Sequence, residues 1–144
     1  MSKLPNIELS NVQAQTIAQN GLFNLGTITR KYCCTNANGV TTFSYNPPSN
    51  SISLNQCGYY NVNVNMTFTG AVAGVVTASL YTNGLKIPQA SASETITTAD
   101  TELRSMSFNT TIRVLPYTPV QLSIVNEGIE IDTSIVNVTI TKII

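Results

Sequence analysis

The chain has 144 residues, 42% of them hydrophobic, and only 10% are Asp, Glu, Lys or Arg, with seven basic and seven acidic residues in exact balance and no histidine. That length suits one domain with a sizeable core, and the charge content is far below the roughly 25% of an ordinary soluble domain. A neutral chain without a basic cluster has no means of displacing counterions from phosphates or of holding an anionic bilayer, so neither nucleic acid nor membrane is an expected partner.

Polarity comes instead from Thr, Asn and Ser, which favour strands and turns over helix. Residues 1–30 are the least regular part. Pro5, the polar stretch from Asn11 to Gln19, and the glycines Gly21 and Gly26 predict short extended pieces. Within VQAQTIAQNG, Thr16 and the Asn20-Gly21 pair favour a strand and a turn over a helical turn. Two readings of this segment stand side by side: an arm lying across a neighbour, or the first strand of a sandwich. The opening MSKLPNIELS has no apolar h-region, and no run approaches a membrane span, so synthesis in a cytoplasm is expected.

From Thr27 onward, short strands alternate with turns. TITRKYCCT precedes Asn38-Gly39, VTTFSY precedes Asn46-Pro47-Pro48, and SISL leads to Cys57-Gly58. The segment GYYNVNVNMTFTG follows, then VVTASLY before Asn83-Gly84, the strongest short hairpin signal in the chain. LRSMSFNTTIRVL stops at Pro116, PVQLSIVN stops at Glu127-Gly128, and SIVNVTITKII closes the chain. Eight to ten short strands without helical periodicity predict an antiparallel β-sandwich or barrel-like jelly roll.

GYYNVNVNMTFTG alternates most strictly. Side chains switch faces at every residue of a strand, so Tyr60, Val62, Val64, Met66 and Phe68 share one side. The other side carries Tyr59, Asn61, Asn63, Asn65, Thr67 and Thr69, which is all amide, hydroxyl and ring, with no charge. A strand with one wet face normally turns charged residues outward, so this face is expected to meet something other than bulk water.

The order ISLNQCGYYNVNVNMTF, VVTASLYTNG, a polar loop, then TTIRVLPYTPVQLSIVNEG and a terminal strand resembles the C1q/TNF-like jelly-roll superfamily, over residues 50–144. The resemblance implies a homotrimer with its inner sheets packed around a threefold axis, and a trimer interface containing Tyr59, Asn61, Asn63 and Asn65. The chain shows no collagen-like stalk and no secretion signal. It therefore looks more like the jelly-roll proteins of bacteriophage particles and bacterial spore surfaces than a secreted animal protein. On this view residues 1–30 form a docking segment or first strand, and residues 31–144 form the jelly-roll domain.

Candidate chemistry is sparse. Without histidine there is no Ser-His-Asp or Cys-His arrangement, and no phosphate-cradling glycine loop or nucleophile elbow occurs. Cys33, Cys34 and Cys57 make an odd count with one adjacent pair, which reads as free thiols rather than a disulfide framework. Glu130 and Asp132, near Glu127, are weak calcium candidates, because calcium wants six to eight oxygens and one chain offers few. No cofactor is expected. The reading that follows is a non-enzymatic structural protein of a virion: a trimeric bacteriophage capsid decoration or head-fibre subunit, meeting the major capsid protein or other virion proteins through its N-terminal segment. The alternative is a receptor- or glycan-binding head of a fibre or bacterial surface layer, for which Tyr45, Tyr81 and Tyr117 are the loop-edge aromatics.

Overall fold

The computed structural model describes residues 4–144, which form eleven strands and a single 3-10 turn at Pro47–Ser49. The strands are β1 (Asn6–Asn11), β2 (Gln15–Ile17), β3 (Thr27–Tyr32), β4 (Phe43–Asn46), β5 (Ser51–Leu54) and β6 (Gly58–Gly70), followed by β7 (Gly74–Thr82), β8 (Leu85–Ile96), β9 (Arg104–Val114), β10 (Val120–Asn126) and β11 (Ile131–Lys142). They make two antiparallel sheets. The first has the order β3-β1-β11-β6-β9, with β2 added onto β11, and the second has the order β4-β5-β10-β7-β8. Strands distant in sequence thus lie side by side, and the two sheets stack as a jelly-roll sandwich.

The core sits between the sheets. The inward residues of β6 (Tyr60, Val62, Val64, Met66 and Phe68) are at most 2% exposed. Val62, Val138 and Ile140 from the first sheet meet Ile52, Leu80, Leu122 and Ile124 from the second around one small void. Each such side chain taken fully from water is worth about 1.5–3 kcal/mol, so the strict alternation of β6 fixes which of its faces enters the core. Phe43 packs edge-on against Tyr60 at a centroid distance of 5.9 Å.

The Asn83-Gly84 pair turns β7 into β8 with φ of 50° and 81° at its two residues, the left-handed pair that a two-residue hairpin needs. The strand that follows lies where the sequence suggested a polar loop. β8 is the outer edge of its sheet, and only Ala90 and Ile96 of its twelve residues are buried. That leaves little apolar alternation to read, and Pro88 fits because an edge strand has a side without ladder bonds.

The N-terminal segment is built into the first sheet. β1 lies between β3 and β11, and Ile7 and Leu9 are completely buried. Ile17, Phe23 and Leu25 add to the same core, whereas Leu22 stays 44% exposed. Residues 6–11 are an inner strand of the first sheet.

A candidate assembly face and a groove at one pole

The outward side chains of β6 are Tyr59, Asn63 and Asn65, which are exposed, and Asn61, Thr67 and Thr69, which are half-buried. Register extends this row across two neighbouring strands. Asn61 lies between Thr111 and Thr141, Asn63 between Asn109 and Thr139, and Asn65 between Ser107 and Asn137. The result is a patch three strands wide, made of amides and hydroxyls, with no charged group among these nine residues. Charge begins at its margin, where the Arg113 guanidinium stands 6.0 Å from the Tyr59 ring centre.

The patch is underbonded within the chain. Ser10 Oγ donates to Asn137 Oδ1, and the Thr67 and Ser105 hydroxyls approach to 3.4 Å. Asn61, Asn63 and Asn65 make no side-chain hydrogen bond among the described residues, and Asn61 Oδ1 is buried without a partner. A buried acceptor left unpaired costs about 1–3 kcal/mol. Beside Asn65 a depression of about 270 Å³ is lined by Thr67, Ser105, Ser107, Ile135 and Asn137. Ile135 lines it because a bulge in β11, between Thr133 and Ile135, puts Ile135 opposite the outward Thr67.

Sequence reasoning found the β6 row and missed the β9 and β11 rows. Their signal was present: Ser107, Asn109 and Thr111 alternate with Phe108, Thr110 and Ile112, and Asn137 and Thr139 alternate with Val138 and Ile140. What the sequence lacked was the register that places the three rows side by side.

The acidic residues go separate ways. The Glu127 carboxylate accepts from Ser79 Oγ and from Tyr81 OH at 2.7 Å, and pairs with Lys86 Nζ at 2.9 Å. Burial pushes its pKa up, but the bonds from Ser79, Tyr81 and Lys86 outweigh this and hold it below the usual carboxylate value. Asp132 accepts from Thr16 Oγ1 at 2.5 Å, and Glu130 is exposed. Among the described residues, no group of three or more His, Cys, Asp or Glu is placed to hold a metal.

The three tyrosines also differ. Tyr45 OH donates to Gly26 O at 2.7 Å and Tyr81 is engaged with Glu127, while Tyr117 is 96% exposed. Tyr117 stands over a groove of about 660 Å³ between the Pro116–Pro119 turn and the loops carrying Asn36, Asn38, Asn55 and Gln56. The groove floor is held from below: buried Tyr60 donates its hydroxyl to Gln56 O at 2.7 Å, and its pKa is pushed up to about 12, chiefly by burial. Cys33, Cys34 and Cys57 are free thiols, the first half-buried and the other two exposed.

No protein-family profile matches the chain, and no curated protein matches it by sequence. Solved structures do match its shape. Eiger TNF from S. frugiperda superposes with a TM-score of 0.64 at 7% identity, over 99% of this chain and 94% of that one. The globular domain of zebrafish complement 1qA protein gives 0.64 at 9% identity, over 99% and 98%. The PRD1 vertex protein P5 gives 0.57 at 17% identity, over 99% of this chain and all 100% of that one. None of the three is named for an enzyme. The chain has the C1q/TNF-like jelly-roll fold.

Proposed function

We propose that this protein is a non-enzymatic structural subunit that works by assembling: a homotrimer joined through the outer face of its six-stranded sheet, carried on a bacteriophage particle as a capsid decoration or head-fibre subunit. The observation that carries the reading is the uncharged outer patch around Asn61, Asn63 and Asn65, where the exposed amides of Asn63 and Asn65 make no hydrogen bond within the chain among the described residues. Amides removed from water need partners, and a facing copy of the same patch supplies a row of donors and acceptors. Like charges would collect at a threefold axis, and this patch contributes none.

The virion setting draws support from the PRD1 vertex protein, a particle component of the same fold. Attachment to a capsid protein through the N-terminal segment would use its exposed apolar residues, among them Leu4, Val12 and Leu22. Residues 1–3 of that segment lie outside the described residues.

Two measurements test this. Sedimentation at micromolar concentration is expected to give a trimer, and Asn63→Glu, which sets three carboxylates near one axis, is expected to give a monomer. A wild-type monomer would overturn the assembly. Imaging labelled protein on its parent particle tests the location, and recovery from a cell envelope instead of virions would overturn it. A second reading, a recognition head, has one observation in its favour, the exposure of Tyr117 over its groove.

A further inference from the structure

The link from β9 to β10 reads Leu115-Pro116-Tyr117-Thr118-Pro119. Thr118 N donates to Leu115 O at 3.2 Å, and Tyr117 has φ of 58°. Proline in the second position and a positive φ in the third define a type II turn, whose third position ordinarily takes glycine. Tyrosine there strains the backbone. It gains no burial in return, since the side chain is 96% exposed. Folding supplies no reason for a tyrosine in this place.

The wall facing the ring is tied together by hydrogen bonds and rich in amides. Asn36 Oδ1 accepts from the backbone N–H of Asn38 and of Val40 at 2.9 and 3.0 Å. Gln56 Nε2 donates to Cys34 O and Val40 O, both at 2.8 Å. These bonds join the loop carrying Asn36 and Asn38 to the one carrying Gln56. Asn38 makes no side-chain hydrogen bond among the described residues, and Asn55 uses its Nδ2 on Ser44 Oγ at 2.9 Å, which leaves its side-chain carbonyl as an acceptor. No charged residue lines the groove, whose volume falls in the range of small-molecule sites.

We infer that this groove is a binding site for a neutral saccharide. A sugar ring offers an apolar C–H face to the Tyr117 ring and hydroxyls to the amides of Asn38 and Asn55. An acidic sugar would find no counter-charge on the lining. A proline-rich peptide docks between several aromatic ridges, and this groove has one ring. The inference deepens the recognition reading and is independent of the assembly reading, because every residue of the groove comes from one chain.

The test is saturation-transfer NMR on the full-length protein. The probes are cellobiose, maltose, lactose and chitobiose as neutral sugars, sialyllactose as a charged one, and a proline-rich decapeptide. At least one neutral sugar is expected to show transfer. Tyr117→Ala is expected to weaken that sugar about tenfold or more, the scale of one lost aromatic contact. Tyr117→Phe should retain binding, and Tyr117→Gly should melt higher yet fail to bind, which separates loss of the site from loss of the fold. Asn63→Glu should bind as wild type, so a failure of the trimer leaves this result standing. Silence from all four neutral sugars overturns the inference. So does undiminished binding by Tyr117→Ala, or transfer confined to sialyllactose or the peptide.

Discussion

Glu127 sits at the end of β10, where three donors from β7 and β8 converge on one carboxylate. Because its pKa is held below the ordinary value of 4.5, the folded protein binds this proton less readily than the unfolded chain. The stabilisation is present above that value and is lost as pH falls through the lower, folded one. Glu127→Gln is expected to cost roughly 1 kcal/mol at neutral pH, modest because the side chain is partly wet. Urea unfolding of wild type and variant should converge as the pH falls below 4, and curves that stay parallel would contradict the assignment. Glu102 behaves similarly on the β8–β9 link. Hydrogen bonds from Thr97 and then Arg104 bring its pKa down to about 2. A carboxyl-detected NMR titration should find Glu102 ionised well below the other acids, with the order of its loop lost as pH falls through that value. The Glu127 cluster was not legible in the chain. Ser79 and Tyr81 lie 48 and 46 residues from Glu127, whereas the eye groups Glu127 with Glu130 and Asp132.

At the level of the strand, what could be read depended on how much of each element is buried. β6 is covered on one whole face, so every second residue had to be apolar and its pattern was plain. The Asn83-Gly84 hairpin was equally local, because left-handed geometry selects its own residues. β8 borders its sheet and buries two residues, so its sequence carries no period. β1 is six residues long with Ile7 and Leu9 as its central apolar pair, too brief a run to separate from a stretched loop. Its weight in the structure is much larger than its signature. Deleting residues 1–30 removes Ile7, Leu9, Ile17, Phe23 and Leu25 from the core and leaves one side of β11 without its partner. The truncated chain is expected to be insoluble or to lack a cooperative thermal transition, since each buried aliphatic side chain lost costs about 2–5 kcal/mol. A deletion variant that melts like wild type would show that β1 is dispensable.

For the molecule as a whole, the low charge and the neutral patch act together. Attraction between copies through amides and hydroxyls is short-ranged and is hardly affected by salt, unlike contacts between exposed ions. The trimer proposed above should therefore keep the same sedimentation coefficient at about 0.05 and 0.5 M sodium chloride, where the screening length shrinks several-fold. Marked dissociation at high salt would place the interface on charged residues elsewhere. The sandwich was foreseeable because short strands punctuated by turns leave few other architectures. The breadth of the patch was not, since it exists through pairings between β6, β9 and β11 that span much of the chain.

Lys142 N donates to Pro5 O at 2.8 Å, and Asn6 lies opposite Thr141. Gly58 makes room for the tail, because a Cβ there would meet Ile144 O at 2.0 Å. Pro5 and Lys142 thus stand one strand spacing apart, about 4.8 Å, and the backbone from Pro5 to Lys142 is nearly a ring interrupted beside a ladder bond. A ring can be opened elsewhere. Joining Ile144 to Leu4 with a short glycine-serine bridge and cutting between Asn83 and Gly84 is expected to yield a circular permutant with the same two sheets and one cooperative melting transition. The order in which the strands are synthesised would then be shown to be separable from the architecture they build.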